Sequence, residues 1–400
     1  MSDYQQKESL TCYGDLMHSA FQEMKALFGV IGFNNLSTDQ REVTFYSEGS
    51  SYWPHLEKLL TTTLEQSDKS VCYVSSSLDD PGLAVEHPKL HTFFIGMGFV
   101  RDFFFQNVDT GVMVMTMPDL QNFQVKRSRC KVHYLYVQHS LSSLHMIYQH
   151  GAFDYYDTIC AAGPHHVTEI RAIEKLYNLP KKEVIELGYS RLDNLKKIAE
   201  TKFIYKKKKK KEKKCFLIAP SWGPQCIIEC GLGKSLVSQL LTLGHEVILR
   251  PHPQTIKFSK NMVDEIKMEH KDNPRFTFES SVAGQDSLHW SDIMVSDWSG
   301  AALEYALALQ KIVIFCDVPR KVNNPNYNDI KCEPLEVSIR EKVGVVWNGV
   351  TSIQEVIKLC EQITGHDPQQ LMFQHVFNCG HSDDIFVDVI ERLNFDRFTS

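Results

Sequence analysis

The sequence predicts an α/β protein made of two doubly wound, parallel-sheet domains in tandem, and three observations predict it. The chain has 400 residues, too many for one typical core and enough for two. From Arg41 onward, short β-branched or aromatic runs alternate with Gly/Ser/Asp turns and amphipathic stretches, the rhythm of βαβ units. That rhythm breaks at a lysine-rich segment and then starts again.

In the first series, VTFYSEG, SYWPHLEKLLTTTLEQ and SVCYVSSS read as strand, helix and strand. KLHTFFIG, GVMVMTM, HYLYVQHS and YYDTICAAG continue as buried parallel strands, their apolar runs unbroken because both sheet faces are covered. VTEIRAIEKLYN reads as a helix that ends before Pro180. Ahead of Arg41, SAFQEMKALFGV is an amphipathic helix that packs on the first domain or meets a partner. The break comes at Lys206 to Lys211, followed by Glu212, Lys213 and Lys214. Like charges at this density repel and favour an extended, solvated segment. We therefore expect a first domain over 1–205, a linker over 206–214 and a second domain over 215–400. The second series runs through CFLIAPSW, a helix around SLVSQLLTLG, the strands EVILRPHP and DIMVSDWS, the helix GAALEYALAL and the strand KIVIFCDVP. A last amphipathic stretch, DIFVDVIERLNF, is a helix that either stays with the second domain or crosses back to the first. Two such domains suggest a cleft, because ligands of open parallel sheets bind beyond the carboxyl ends of the strands.

Composition removes several function classes. A hydrophobic fraction of 43% with 23% charged residues is that of a globular protein. A formal net charge of -6 argues against a dedicated nucleic-acid binder, and no aromatic residues interleave the lysine run to stack on bases. That run reads first as a linker. Its sharper reading is attraction to anionic lipid headgroups, worth about 1 kcal/mol per basic residue, which would place a cytoplasmic protein peripherally on the inner membrane face. The 11 cysteines include no Cys-x-x-Cys pair, and the first residues lack a signal peptide's basic start and apolar core. Reduced thiols and a cytosolic location are expected, with no stretch of about 18 apolar residues to span a bilayer. Three other signals fail. Ile228 stands where the P-loop reading of Gly231 to Ser235 needs its leading glycine, Gly96 and Gly98 lack the third glycine of a dinucleotide fingerprint, and Cys226 with Cys230 has no partner pair for zinc. No metal or cofactor is expected.

The chemistry-bearing segments fall at strand ends. In VSDWSGAALEYAL, a strand closes at Ser296 and Asp297 and a helix opens near Ser299 and Gly300, a site suited to phosphate. Glu304, four positions after Gly300, either reaches ribose hydroxyls or sits on a solvated helix face. In ILRPHP, Arg250 offers a planar donor fork and His252 a donor or leaving-group acid, with prolines stiffening the turn. In YVQHSLSS, His139 at a strand tip suits a general base for an acceptor hydroxyl. Ser221 of APSWG either touches a donor phosphate or makes a tight turn. Glu48 and Gly49 of SEGSSYWP hold the matching place in the first domain, on the acceptor side. Arg191 of GYSRLD is a ligand contact or part of a structural turn and ion pair.

Taken together, Arg-Pro-His-Pro followed by Ser-Asp-x-Ser and a helix, the GYSRLD turn, the histidine of VQHS and the run IFCDVPRKVNNPNY resemble the CDP-glycerol glycerophosphotransferase family of teichoic-acid and capsule synthesis. The likeness covers roughly residues 130–345. It implies a GT-B arrangement of two Rossmann-like domains with the donor in the second. It also implies that His139 and His252 are the family's two important histidines, and that Arg250, Ser296, Asp297 and Ser299 lie in its donor-binding segments. The implied reaction transfers glycerol phosphate, or a related polyol phosphate, from a CDP-linked donor to a hydroxyl of an envelope glycan or lipid-linked acceptor, releasing CMP. Two departures stand out: Ser190 replaces a usual proline, and Ser140 follows His139 where wall-polymer enzymes carry His-Gly-Thr. The alternatives are a GT-B glycosyltransferase using a nucleotide sugar, and a non-catalytic, membrane-tethered envelope-assembly protein.

Overall fold

The computed structural model describes residues 20–123, 125–202, 213–281, 284–363 and 367–399. The expectation for Lys206 to Lys211 lies outside these residues. Thirteen strands are present among them, β1 Val43–Ser47, β2 Val71–Ser75, β3 Leu90–Phe94, β4 Val112–Met115, β5 His133–Tyr136, β6 Thr158–Ala161, β7 Glu183–Glu186, β8 Cys215–Ile218, β9 Glu246–Leu249, β10 Phe276–Phe278, β11 Ile293–Ser296, β12 Val313–Cys316 and β13 Gly344–Trp347. They form a seven-stranded sheet of order β3-β2-β1-β4-β5-β6-β7 and a six-stranded sheet of order β10-β9-β8-β11-β12-β13. Each order steps outward one way and then reverses, between β1 and β4 in one sheet and between β8 and β11 in the other. Such reversals are the switch points where loops part and ligands enter doubly wound sheets.

Strand pairing is parallel throughout the second sheet. Its strands carry apolar side chains on both faces because period-two alternation sends successive residues to opposite sides. Phe216, Ile218, Val295, Ile314 and Cys316 enter one core with Leu236, Leu240 and Val356. Their neighbours Leu217, Met294, Val313 and Phe315 enter the other with Leu303, Leu307, Leu192 and Tyr189. The carboxyl ends of β8, β9, β11 and β12 thereby deliver Ala219 to Gly223, Arg250 to His252, Asp297 to Gly300 and Asp317 to Lys321 to one edge.

The chain packs as two compact units, one of residues 1–137, 151–159 and 383–400, the other of 138–150 and 160–382. Within the first, Phe386 of the helix Ser382–Thr399 meets Phe45 of β1 at 5.8 Å between ring centroids. Gln66 donates to Asp384 at 2.9 Å, and Ser67 donates to Glu391. Residues 20–34 form the helix expected ahead of Arg41. Within the second unit, segment 138–150 is stitched to a loop far along the chain. Asn324 donates through Nδ2 to the His145 carbonyl at 3.0 Å, and Asn323 to that of Ile147 at 2.7 Å. Glu336 accepts from the Ser143 hydroxyl at 2.7 Å and the Ser143 amide at 2.8 Å.

Candidate active site

The site is built around the turn that ends β11. Asp297 is 1% exposed, and its carboxylate accepts the amides of Ser221 at 2.7 Å, Trp298 at 2.7 Å and Ile227 at 3.1 Å. One buried anion therefore ties the loop after β8 to the start of the next helix, and three charge-assisted bonds compensate its burial. Ser296 donates to the Ala219 carbonyl at 2.7 Å, and the Ser221 hydroxyl lies 3.1 Å from the Cys226 sulfur. Ser221, Ser296 and Asp297, expected on the donor, all face inward as the floor of the site.

The helix Gly300–Leu309 starts without a side-chain cap from Ser299, so its first amides keep their donor capacity and its dipole favours an anion there. A Cβ on Gly300 would fall 2.3 Å from the Ser140 hydroxyl oxygen. The missing side chain thus admits the protein's own histidine loop, bringing residues 139–142 to the helix start. Two neighbours hold that loop: His165 lies 2.9 Å from the Leu141 carbonyl through Nε2, and His166 lies 3.0 Å from that of Ser142. His166 Nδ1 accepts the Ala162 amide, which leaves its proton on Nε2.

His139 is half-buried, with Nε2 3.2 Å from the Tyr148 hydroxyl. His252 caps the helix Pro253–Phe258, its Nδ1 accepting the Gln254 amide at 3.1 Å. Because Nδ1 is the acceptor, the neutral ring carries its proton on Nε2. Burial pushes the His252 pKa down to about 3, helped by the charges of Lys321 and His139. The two histidines are therefore electrostatic neighbours, and His252 is a neutral N–H donor near pH 7. Trp222, after β8, lies 6.0 Å from the His252 ring at 31°, and Lys321, after β12, sits 4.6 Å over Trp222. Arg250 is 5% exposed; it donates to Ser287 at 3.2 Å and to the Gly284 carbonyl at 2.9 Å, and burial lowers its pKa to about 10.

Arg191 takes the ion-pair alternative, and Glu304, expected on a ribose or on a solvated helix face, is its buried partner. Arg191 Nε donates to Glu304 Oε2 at 2.6 Å, and Tyr189 donates to Oε1 at 2.7 Å. Both side chains are buried, and each finds its charge partner within the protein. The GYSRLD turn also contributes Asp193, which accepts the Gly380 amide at 2.7 Å, and Gly188, whose φ of +100° favours glycine.

In the first unit, Glu48 follows β1, and the hydroxyl of Ser47 reaches the Gly49 carbonyl at 3.1 Å. Burial raises the Glu48 pKa to about 7. A carboxyl whose folded pKa exceeds its unfolded value destabilises the protein once it ionises, so this cost grows from about pH 4.5 to about pH 7. Glu48→Gln should therefore raise unfolding stability at pH 8 by about 3 kcal/mol, with no gain at pH 4. Urea denaturation at the two pH values reads the difference; equal effects at both would place the charged carboxylate in solvent.

Among the described residues, no group of three or more His, Cys, Asp or Glu could hold a metal ion, and no helix is long and apolar enough to cross a membrane.

Comparison with solved structures places this architecture. The wall teichoic acid polymerase TagF matches over 100% of both chains at 11% identity, with a TM-score of 0.59. A structure of that polymerase soaked with CDPG gives 0.58. Methanocaldococcus jannaschii UDP-GlcNAc 2-epimerase, in complex with UDP-GlcNAc and UDP, matches 88% of this chain and 99% of its own at 12% identity and 0.54. Rickettsia bellii UDP-N-acetylglucosamine 2-epimerase matches 89% and 96% at 10% identity and 0.53. No curated protein matches the chain in sequence. The fold is thus a GT-B-like α/β fold. Residues 127–318, just under half of the chain, match the family model CDP-Glycerol:Poly(glycerophosphate) glycerophosphotransferase. The matched segment contains both histidines, the β11 turn and the start of its helix.

Proposed function

We propose that the protein transfers glycerol phosphate from CDP-glycerol to a hydroxyl of an envelope glycan or lipid-linked acceptor, with the chemistry centred on His139 and His252. The observation that carries the reading is the seating of the His139 loop against an uncapped helix start, where Ser140 abuts Gly300. His139 takes the proton of the acceptor hydroxyl. The oxygen attacks the phosphorus on the glycerol side, a new P–O bond forms, the bond to the CMP oxygen breaks, and CMP leaves with the electron pair. His252 Nε2–H and the amides at Gly300 stabilise oxygens that gain charge, acting as fixed donors that need no reorganisation. Arg250 acts from one layer below by holding the 284–287 loop. The assignment needs no metal-dependent step, and the lysines from Lys206 to Lys214 offer a contact with anionic lipid on the cytoplasmic side.

The test is a donor panel of CDP-glycerol, CDP-ribitol, UDP-GlcNAc and CMP-sialic acid, with released nucleotides separated by chromatography. CMP from a CDP-polyol is expected, and its rate should fall about 100- to 10,000-fold in His139→Ala. UDP release from UDP-GlcNAc alone would move the protein to the glycosyltransferases.

A further inference from the structure

We propose that Lys321 is a further donor-binding residue, whose ammonium, carried on the Trp222 ring, binds the diphosphate of the nucleotide-linked donor beside His252. The inference rests on the donor class proposed above and assigns a role to a residue of the run IFCDVPRKVNNPNY, just past the matched segment, which ends at 318.

Position comes first. Lys321 follows β12 and reaches the edge where β8, β9 and β11 also end. Its Nζ lies 4.6 Å over Trp222, and Trp222 lies 6.0 Å from His252 in a tilted stack. Ammonium, indole and imidazole thus form a row that ends at the proposed phosphoryl-oxygen donor. Trp222 is 36% exposed, so the row opens to solvent, and the indole face holds the flexible lysine stem in one place.

The local charge balance points the same way. Among the described residues, no carboxylate stands within ion-pair distance of Lys321; its ammonium lies against the indole. The acidic groups whose fields it feels are the Cys226 thiol, Asp297 and Glu229. Asp297 is committed to three backbone amides, and Glu229 accepts from Thr255 at 2.7 Å through Oε1 while its Oε2 has no hydrogen-bond partner among the described residues. Burial accordingly holds the ammonium below its ordinary pKa. A partly desolvated cation without a partner is costly unless an anion completes it. Arg250, another cation of this edge, already donates to Ser287 and Gly284. A diphosphate brings two adjacent anionic groups, which the helix start at Gly300 and an ammonium satisfy together.

The experiment uses Lys321→Met, which keeps the stem on Trp222 and removes the charge, and Lys321→Arg, which keeps the charge. Binding of CDP and of inorganic pyrophosphate is measured by calorimetry across pH and salt. Lys321→Met should weaken both probes about 10- to 100-fold, flatten the salt dependence and leave the fold intact by circular dichroism. Lys321→Arg should retain most of the affinity. In the wild type, affinity should fall as pH rises through the lysine's lowered pKa, and the methionine variant should lose that limb. Binding of both probes by Lys321→Met within about twofold of wild type would overturn the assignment. Pyrophosphate binding that requires Lys321, without any CDP binding, would keep the diphosphate contact and overturn the cytidine donor. A wild-type protein that binds neither probe overturns both.

Discussion

His252→Ala should reduce CMP release from the correct donor by about 100- to 10,000-fold, the range for losing a positioned acid or a preorganised phosphoryl donor. The loss should appear in kcat more than in donor KM, because the Nε2–H bond strengthens as charge develops on the transferring group. Two consequences of the geometry separate this from damage to the fold. His252 also caps a helix through Nδ1, so alanine removes a cap worth about 1 kcal/mol. His252→Asn can still accept the Gln254 amide but has no second donor at the Nε2 position, so it should keep wild-type stability and still lose turnover. The pH profile provides a further check: with its pKa pushed to about 3, His252 stays neutral from pH 5 to 9 and contributes no limb there. An asparagine variant with undiminished turnover would remove the imidazole from the mechanism.

Much of the fold is legible in the sequence because buried parallel strands advertise themselves. VCYVS and VMVM have every position buried, and such runs are hard to mistake between turn residues. The strands that composition did not reveal are β7, β10 and β13, all at sheet edges. EVIE and FTF are short and only partly buried, so their patterns merge with the loops around them. The site is legible at the level of segments, since topology fixes which loops meet at a switch point. It is not legible at the level of side-chain direction. SDWSG was readable as a phosphate loop, but whether Ser296 and Asp297 face the ligand or the floor depends on amides at Ser221 and Ile227, some 70 residues earlier. Tyr148 had no local signal, and Trp222 and Lys321 lay inside the segments APSWG and IFCDVPRKVNNPNY without being singled out. Asn323 and Asn324 had a faint one: paired asparagines before a proline, explained once their amides are seen holding the His139 loop 176 and 179 residues upstream.

Glu304→Ala should lower global stability by about 3–5 kcal/mol, the cost of leaving one member of a buried ion pair without its partner. Glu304 is 3% exposed and Arg191 6%, and removing the carboxylate strands both the guanidinium and the Tyr189 hydroxyl. A ribose-binding carboxylate would behave differently: its loss would raise donor KM and leave stability nearly unchanged, because a ligand contact is absent from the free protein. Urea denaturation and donor KM therefore distinguish the two roles in one variant. The double change Arg191→Met with Glu304→Leu sharpens the comparison, since replacing a buried ion pair with apolar side chains of similar volume is often neutral. Recovery of stability in the double variant, with donor KM near wild type, is the result the buried geometry demands. Loss of donor affinity in a fully stable Glu304→Ala protein would instead return this glutamate to the ligand and require Arg191 to be satisfied without it.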